Sequence, residues 1–76
     1  MEIKVLGPGC AKCRQTEQIV KDAVAASGVA ATTEKVTDPV AIAGFGVMAT
    51  PAVVVDGVVK SAGKVPGKQE VAAWIR

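Results

Sequence analysis

Histidine and tyrosine are both absent from this 76-residue sequence, and their absence excludes several kinds of chemistry. Without an imidazole, the chain cannot run a Cys-His or Ser-His hydrolytic site, and it cannot ligate a metal through a ring nitrogen. Most hydrolase mechanisms are therefore excluded. The chemistry must be sought instead at the two cysteines, Cys10 and Cys13.

Long apolar runs are also lacking, although half of the residues are hydrophobic. No window approaches the roughly 18 consecutive apolar residues of a membrane-spanning helix, so we expect no membrane contact. The first residues reach Gly7 and Pro8 too soon to leave space for a secretory signal. We therefore expect a cytoplasmic protein. In a reducing compartment, neighbouring cysteines more often do redox chemistry or bind metal than form a permanent structural disulfide.

The sequence has no concentration of charge of one sign. Nine basic and seven acidic residues are interleaved along the chain and give a net charge of +2. Such a pattern does not build the dense basic face that a phosphate backbone requires, so we expect no nucleic-acid partner. The length leaves no space for a second core, which predicts a single domain over residues 1–76.

Local patterns predict seven elements in the order βαβαββα. Apolar alternation and β-branched runs, bounded by glycine, proline and aspartate, favour four strands at 2–6, 29–37, 52–55 and 58–62. A 3.6-residue periodicity predicts a main helix over 11–27 and a closing helix from Gly67 onward. Asp38 and Pro39 are a typical opening for a brief helix that ends at Gly44 and Gly46.

The connections between these elements predict the arrangement of the sheet. A helix that links the first two strands makes them parallel through a right-handed crossover. Asp56 and Gly57 favour a tight hairpin, which adds an antiparallel pair. We therefore expect an α/β fold with a four-stranded mixed sheet flanked by three helices, and the strand at 29–37 at a sheet edge.

Cys10 and Cys13 lie three residues apart where a loop enters the main helix, close enough to close a disulfide across one turn. Free amides and the dipole at the helix start favour a thiolate on Cys10, and the charge of Lys12 acts in the same direction. We expect Cys10 to be the nucleophile and the more shielded Cys13 to resolve the mixed disulfide. This exchange requires no cofactor beyond the Cys10–Cys13 disulfide.

Three other interpretations of the cysteine pair stay open. A purely structural disulfide would remove little entropy, because the closed loop has four residues. The pair also suits Cu(I) or Zn, as in a small metallochaperone, but the sequence has only two cysteine ligands. A metallochaperone domain also has a hairpin straight after its first helix and ends on a strand, whereas this sequence shows a second helix before the hairpin and a third after it. The third interpretation is a binding module that uses the fold only to dock a partner.

The sequence resembles the thioredoxins and glutaredoxins over nearly its whole length. The resemblance rests on a strand followed by Gly9-Cys10-Ala-Lys-Cys13, and on Thr50-Pro51 directly before the stretch Ala-Val-Val-Val-Asp-Gly. It is strongest to small redox-active disulfide proteins of glutaredoxin size. It implies a thioredoxin-like fold and a thiol–disulfide oxidoreductase. It further implies that Pro51 is cis and packs beside the active disulfide, while Thr50 offers backbone groups to a bound substrate strand.

The sequence also departs from the family pattern. The site reads Cys-Ala-Lys-Cys rather than the Cys-Gly-Pro-Cys of thioredoxins, and Gly9 replaces the tryptophan before their first cysteine, so the reduction potential does not carry over. Glu2 lies at the far end of its strand from the position of the thioredoxin buried acid. Residues 61–64 lack the glutathione-binding pattern of glutaredoxins. We therefore expect disulfide-containing protein targets and a thioredoxin-reductase-type enzyme as partners. We also expect a monomer.

Overall fold

The computed structural model describes residues 1–9 and 11–75, and Cys10 and Arg76 lie outside this part of the chain. Within the described residues the predicted order βαβαββα is confirmed. The elements are β1 (Glu2–Leu6), α1 (Ala11–Ser27), β2 (Thr32–Val36), α2 (Pro39–Gly44), β3 (Ala52–Val55), β4 (Val58–Ala62) and α3 (Lys68–Trp74).

The four strands form one mixed sheet in the order β2-β1-β3-β4. β1 is central, with β2 parallel on one side and β3 antiparallel on the other, and β3 and β4 form the antiparallel hairpin. Asp56 and Gly57 both have positive φ, 49° and 83°, as the twisted two-residue hairpin turn requires. The predicted fold class is confirmed.

β2 is shorter than the sequence predicts, because it spans Thr32–Val36 rather than 29–37. Its first residue pairs with Glu2, which is also the first residue of β1, so an earlier start would have no partner strand. At the other end Val36 pairs with Leu6, and its carbonyl oxygen accepts from the amide of Gly7 at 2.9 Å. The limits of β2 are therefore set by its neighbour β1. Its predicted position at the sheet edge is confirmed.

Apolar side chains cover both faces of the sheet. The face under α1 and α3 holds the larger cluster, formed by Ile3, Val5, Val20, Ala23, Val53, Val55, Val71 and Ile75. The face under α2 holds a smaller one, formed by Leu6, Ile42, Val47, Ala52 and Val54. Each cluster buries the alternate residues of the same strands, so the three helices are distributed over two sides of a single sheet.

Local signals explain where the helices begin. At α2 the side chain of Asp38 accepts from the amide of Val40 at 3.0 Å, and Pro39 occupies the first turn. At α3 Glu70 reaches back to accept from the amide of Gly67 at 3.3 Å. None of the helices in residues 1–9 and 11–75 is long and apolar enough to cross a bilayer.

Candidate functional site

Cys13 lies in the first turn of α1 on the stripe that faces the sheet. Thr16, Val20 and Ala23 continue this stripe at helical spacing, and all four side chains are buried. Cys13 is only 3% exposed, as expected for the more shielded cysteine of the pair. The Thr16 hydroxyl donates to the carbonyl oxygen of Lys12 at 2.9 Å, which satisfies the buried hydroxyl within the helix.

Gly7 is the residue directly against Cys13. It is buried at the carboxyl end of β1. A Cβ placed on Gly7 would overlap the Sγ of Cys13 and lie 3.1 Å from the Cβ of Cys13 and 3.8 Å from the Cβ of Thr50. Gly7 therefore brings Cys13 and Thr50 to one place in the fold, although the two residues are far apart in sequence.

The segment of Thr50 and Pro51 enters β3 beside this point. The peptide bond between the two residues is cis, the isomer that the family resemblance implies. Pro51 is fully buried, and Thr50 is half-buried. The carbonyl oxygen of Pro51 accepts from the amide of Gly63 at 2.9 Å. The segment is thus hydrogen-bonded to the end of the hairpin.

The predicted nucleophile, Cys10, lies outside the described residues, but the residues on both sides of it in sequence are described. Gly9 is half-buried and has φ +92°, in the region that favours glycine, and α1 begins at Ala11. Lys12 is exposed in the first turn of α1, which contains no acidic residue. The helix start is therefore a favourable environment for an anion.

Two residues near the site are not identified by the sequence analysis. In the sequence Gly7 looks like an ordinary loop glycine, and nothing indicates that it contacts Cys13. The other is Lys35 on β2, whose Nζ lies 4.0 Å from the point that a Cβ on Gly9 would occupy. Lys35 adds a second positive charge beside the loop that precedes α1. Its proximity depends on the register in which β2 pairs with β1, whereas the sequence predicts only that the two strands are parallel.

Metal ligands are not clustered in the described part of the chain. In residues 1–9 and 11–75, no group of three or more histidine, cysteine, aspartate or glutamate side chains lies close enough together to hold a metal ion.

The architecture and the buried cysteine at a helix start, near Thr50 of a cis Thr50–Pro51 bond, define an α/β protein of the thioredoxin-like class. Known proteins support this assignment. A family model described as a thioredoxin domain matches residues 1–76. A thioredoxin of Methanocaldococcus jannaschii is 44% identical over 69 residues, which cover 91% of this chain and 79% of that protein. A thioredoxin of Methanothermobacter thermautotrophicus is 37% identical over 71 residues, covering 93% and 92% respectively.

The chain belongs to the thioredoxin domain family. It is accordingly a thiol–disulfide oxidoreductase with a thioredoxin-like fold.

Proposed function

We propose that the chain exchanges a Cys10–Cys13 dithiol with disulfide-containing protein targets, and that Cys10 makes the first attack. The observation that carries this division of roles is the burial of Cys13. Its side chain is 3% exposed and packs against Gly7. A sulfur so shielded is a poor first attacker on a disulfide held by a bulky protein. The first attack therefore falls to Cys10, next to the start of α1.

The exchange has two balanced steps. The Cys10 thiolate attacks one sulfur of the target disulfide, the target S–S bond breaks, and the other target sulfur leaves as a thiolate that takes up a proton. Cys13 then loses its proton and attacks the Cys10 sulfur, which forms the internal disulfide and releases the second target thiol. Two electrons pass to the target, whose two thiols take up one proton from solvent and one from Cys13, and no organic cofactor takes part in this half of the cycle.

The residues around the pair have distinct supporting roles. Thr50 and Pro51 shape the groove for the target strand, because their segment reaches the same buried point as Cys13. Gly9 keeps side-chain bulk away from the approach to Cys10, and Lys12 adds positive charge to the helix start. The oxidised chain regains its two electrons from a dithiol partner of the thioredoxin-reductase type. We assign the whole chain, residues 1–76, to one cytoplasmic, monomeric domain with no nucleic-acid or membrane partner.

Replacement of the resolving cysteine tests the division of roles. Cys13→Ser should leave Cys10 able to attack but unable to be released, so mixed disulfides with protein targets accumulate and are seen by non-reducing mass analysis. The matched control is Cys10→Ser, which should trap none. A Cys13→Ser protein that retains its fold and traps no target would contradict the assignment.

The metal alternative is tested on the metal-free wild-type protein. We expect a reversible two-electron transition in defined thiol buffers between about −180 and −280 mV, the range of known oxidoreductases. Cysteines that stay reduced over this range, together with tight binding of Cu(I) or Zn²⁺, would instead support a metal carrier.

A further inference from the structure

We propose that Gly7 is a positioning residue for the resolving step. Because Gly7 has no side chain, it leaves a space near Thr50 that the Sγ of Cys13 occupies, and we call this space the seat. The inference rests on the proposed role of Cys13 as the resolving cysteine. It assigns a function to a residue that belongs neither to the cysteine pair nor to the Thr50–Pro51 segment.

The need for glycine at position 7 is steric rather than conformational. Five other glycines have positive φ, but Gly7 does not, so its backbone is in a conformation that any residue adopts. An added Cβ would nevertheless overlap the Sγ of Cys13. The methyl group of an alanine would therefore occupy the space that the sulfur occupies now.

The backbone around Gly7 cannot easily retreat from such a methyl group. The Gly7 amide donates to the carbonyl oxygen of Val36 at 2.9 Å, which holds it to β2. The preceding residue, Leu6, pairs with Val36 on one side and with Ala52 on the other. Gly7 thus directly follows a residue that is paired on both sides in the centre of the sheet.

The backbone of Cys13 is held equally firmly. Thr16 and Val20, on the same stripe of α1, are both completely buried, so the helix cannot shift without disturbing the core. In the mixed-disulfide state that precedes resolution, the part of the contact that can respond to added bulk is the Cys13 side chain, which can turn about its Cα–Cβ bond. An alanine at position 7 should therefore displace this sulfur from its seat.

Displacement of the sulfur affects the resolving step directly. Cys13 must approach the Cys10 sulfur of a mixed disulfide in a defined direction, and a misplacement of about 1 Å can slow a reaction between positioned groups about 100-fold. We expect Gly7→Ala to lengthen the lifetime of the mixed disulfide by about 10- to 100-fold. The first attack by Cys10 should be much less affected, because it does not involve the Cys13 sulfur.

Gly44→Ala is the matched control. Gly44 also lacks a positive φ, and no neighbouring heavy atom lies within 4 Å of the position of an added Cβ. Both substitutions add one methyl group, but only the methyl group at position 7 meets Cys13, so a difference between the variants in the mixed-disulfide lifetime reports that contact. The lifetime of the mixed disulfide with a target peptide is measured by rapid acid quench and mass analysis, together with the reduction potential. Gly44→Ala should match the wild type in both.

A second comparison tests the seat without any redox reaction. The free energy of unfolding is measured for Gly7→Ala, Cys13→Ala and the double variant, each under reducing conditions. Removal of the sulfur empties the seat, so Gly7→Ala should destabilise the protein much less in the Cys13→Ala background than in the wild type. If Gly7→Ala alone does not fold, recovery of folding in the double variant supports the seat, and failure of both overturns it.

The outcomes separate the two proposals. If Cys13→Ser traps no target, the proposed roles of the cysteines fail, and the role of Gly7 in resolution fails with them. If the trap works but Gly7→Ala leaves the mixed-disulfide lifetime equal to that of Gly44→Ala, only the positioning role is overturned. A longer mixed-disulfide lifetime in Gly7→Ala, together with non-additive effects of Gly7→Ala and Cys13→Ala on the free energy of unfolding, supports the positioning role.

Discussion

Asp56→Ala should lower the free energy of unfolding by about 2 kcal/mol. The Oδ1 of Asp56 accepts from the amide of Glu2 at 2.8 Å, which joins the hairpin turn to the first residue of β1. Loss of this hydrogen bond costs about 1 kcal/mol. Asp56 also has φ +49°, where alanine is less favourable than aspartate by about 1 kcal/mol.

This loss is a large part of the total. A domain of 76 residues is expected to have a stability of roughly 4 to 11 kcal/mol. A loss of about 2 kcal/mol corresponds to a fall in Tm of about 8 to 16 °C in a domain of this size. Urea and thermal unfolding can both be followed by the fluorescence of Trp74, which packs against the core and is the sole tryptophan of the sequence.

Asp56→Asn is the control, because asparagine tolerates positive φ and keeps a side-chain oxygen that accepts a hydrogen bond. We expect it to cost less than about 0.5 kcal/mol. Neither variant should change the reduction potential, since the turn and Gly7 lie at opposite ends of β1, whose five residues span about 13 Å. A cost under about 0.5 kcal/mol for Asp56→Ala, or an equal cost for asparagine and alanine, would contradict the stabilising role of this side chain.

Two further predictions concern Ser61 on β4 and Glu70 on α3. The hydroxyl of Ser61 is buried and has no hydrogen-bond partner among the described residues, so Ser61→Ala should raise the free energy of unfolding by about 1 kcal/mol; an unchanged or lower urea midpoint would contradict this. The pKa of Glu70 is lowered by the hydrogen bond from Lys64, then by the amide of Gly67 and the charge of Lys64. The ionised Glu70 carboxylate therefore stabilises the fold at pH above its unfolded-state pKa of about 4.3, and this stabilisation is lost as pH falls through the lower folded-state pKa. The stability difference between wild type and Glu70→Gln should accordingly be largest near neutral pH and vanish in acid; a difference that is the same at both pH values would contradict this.

Most of the fold could be predicted because its signals are local. The observed bounds of β1, α1, β3 and β4 equal those that the sequence predicts, since each is flanked by glycine, proline or an Asp-Gly turn or follows a clear helical period. The sequence predicts a longer β2 than the structure has, because threonine, valine and alanine favour strand over the whole of 29–37. Only pairing with β1 determines that it begins at Thr32 and ends at Val36.

The sequence by itself determined the candidate chemistry of this protein. The spacing of Cys10 and Cys13 at a helix start, the lack of histidine, and Thr50-Pro51 before the hairpin are all visible in the order of residues. Only the tertiary structure decided what surrounds them. Contact between Gly7 and Cys13 depends on how closely the first turn of α1 packs against the end of β1, and the nearby Thr50 comes from a segment far along the chain; the identity of a glycine encodes neither.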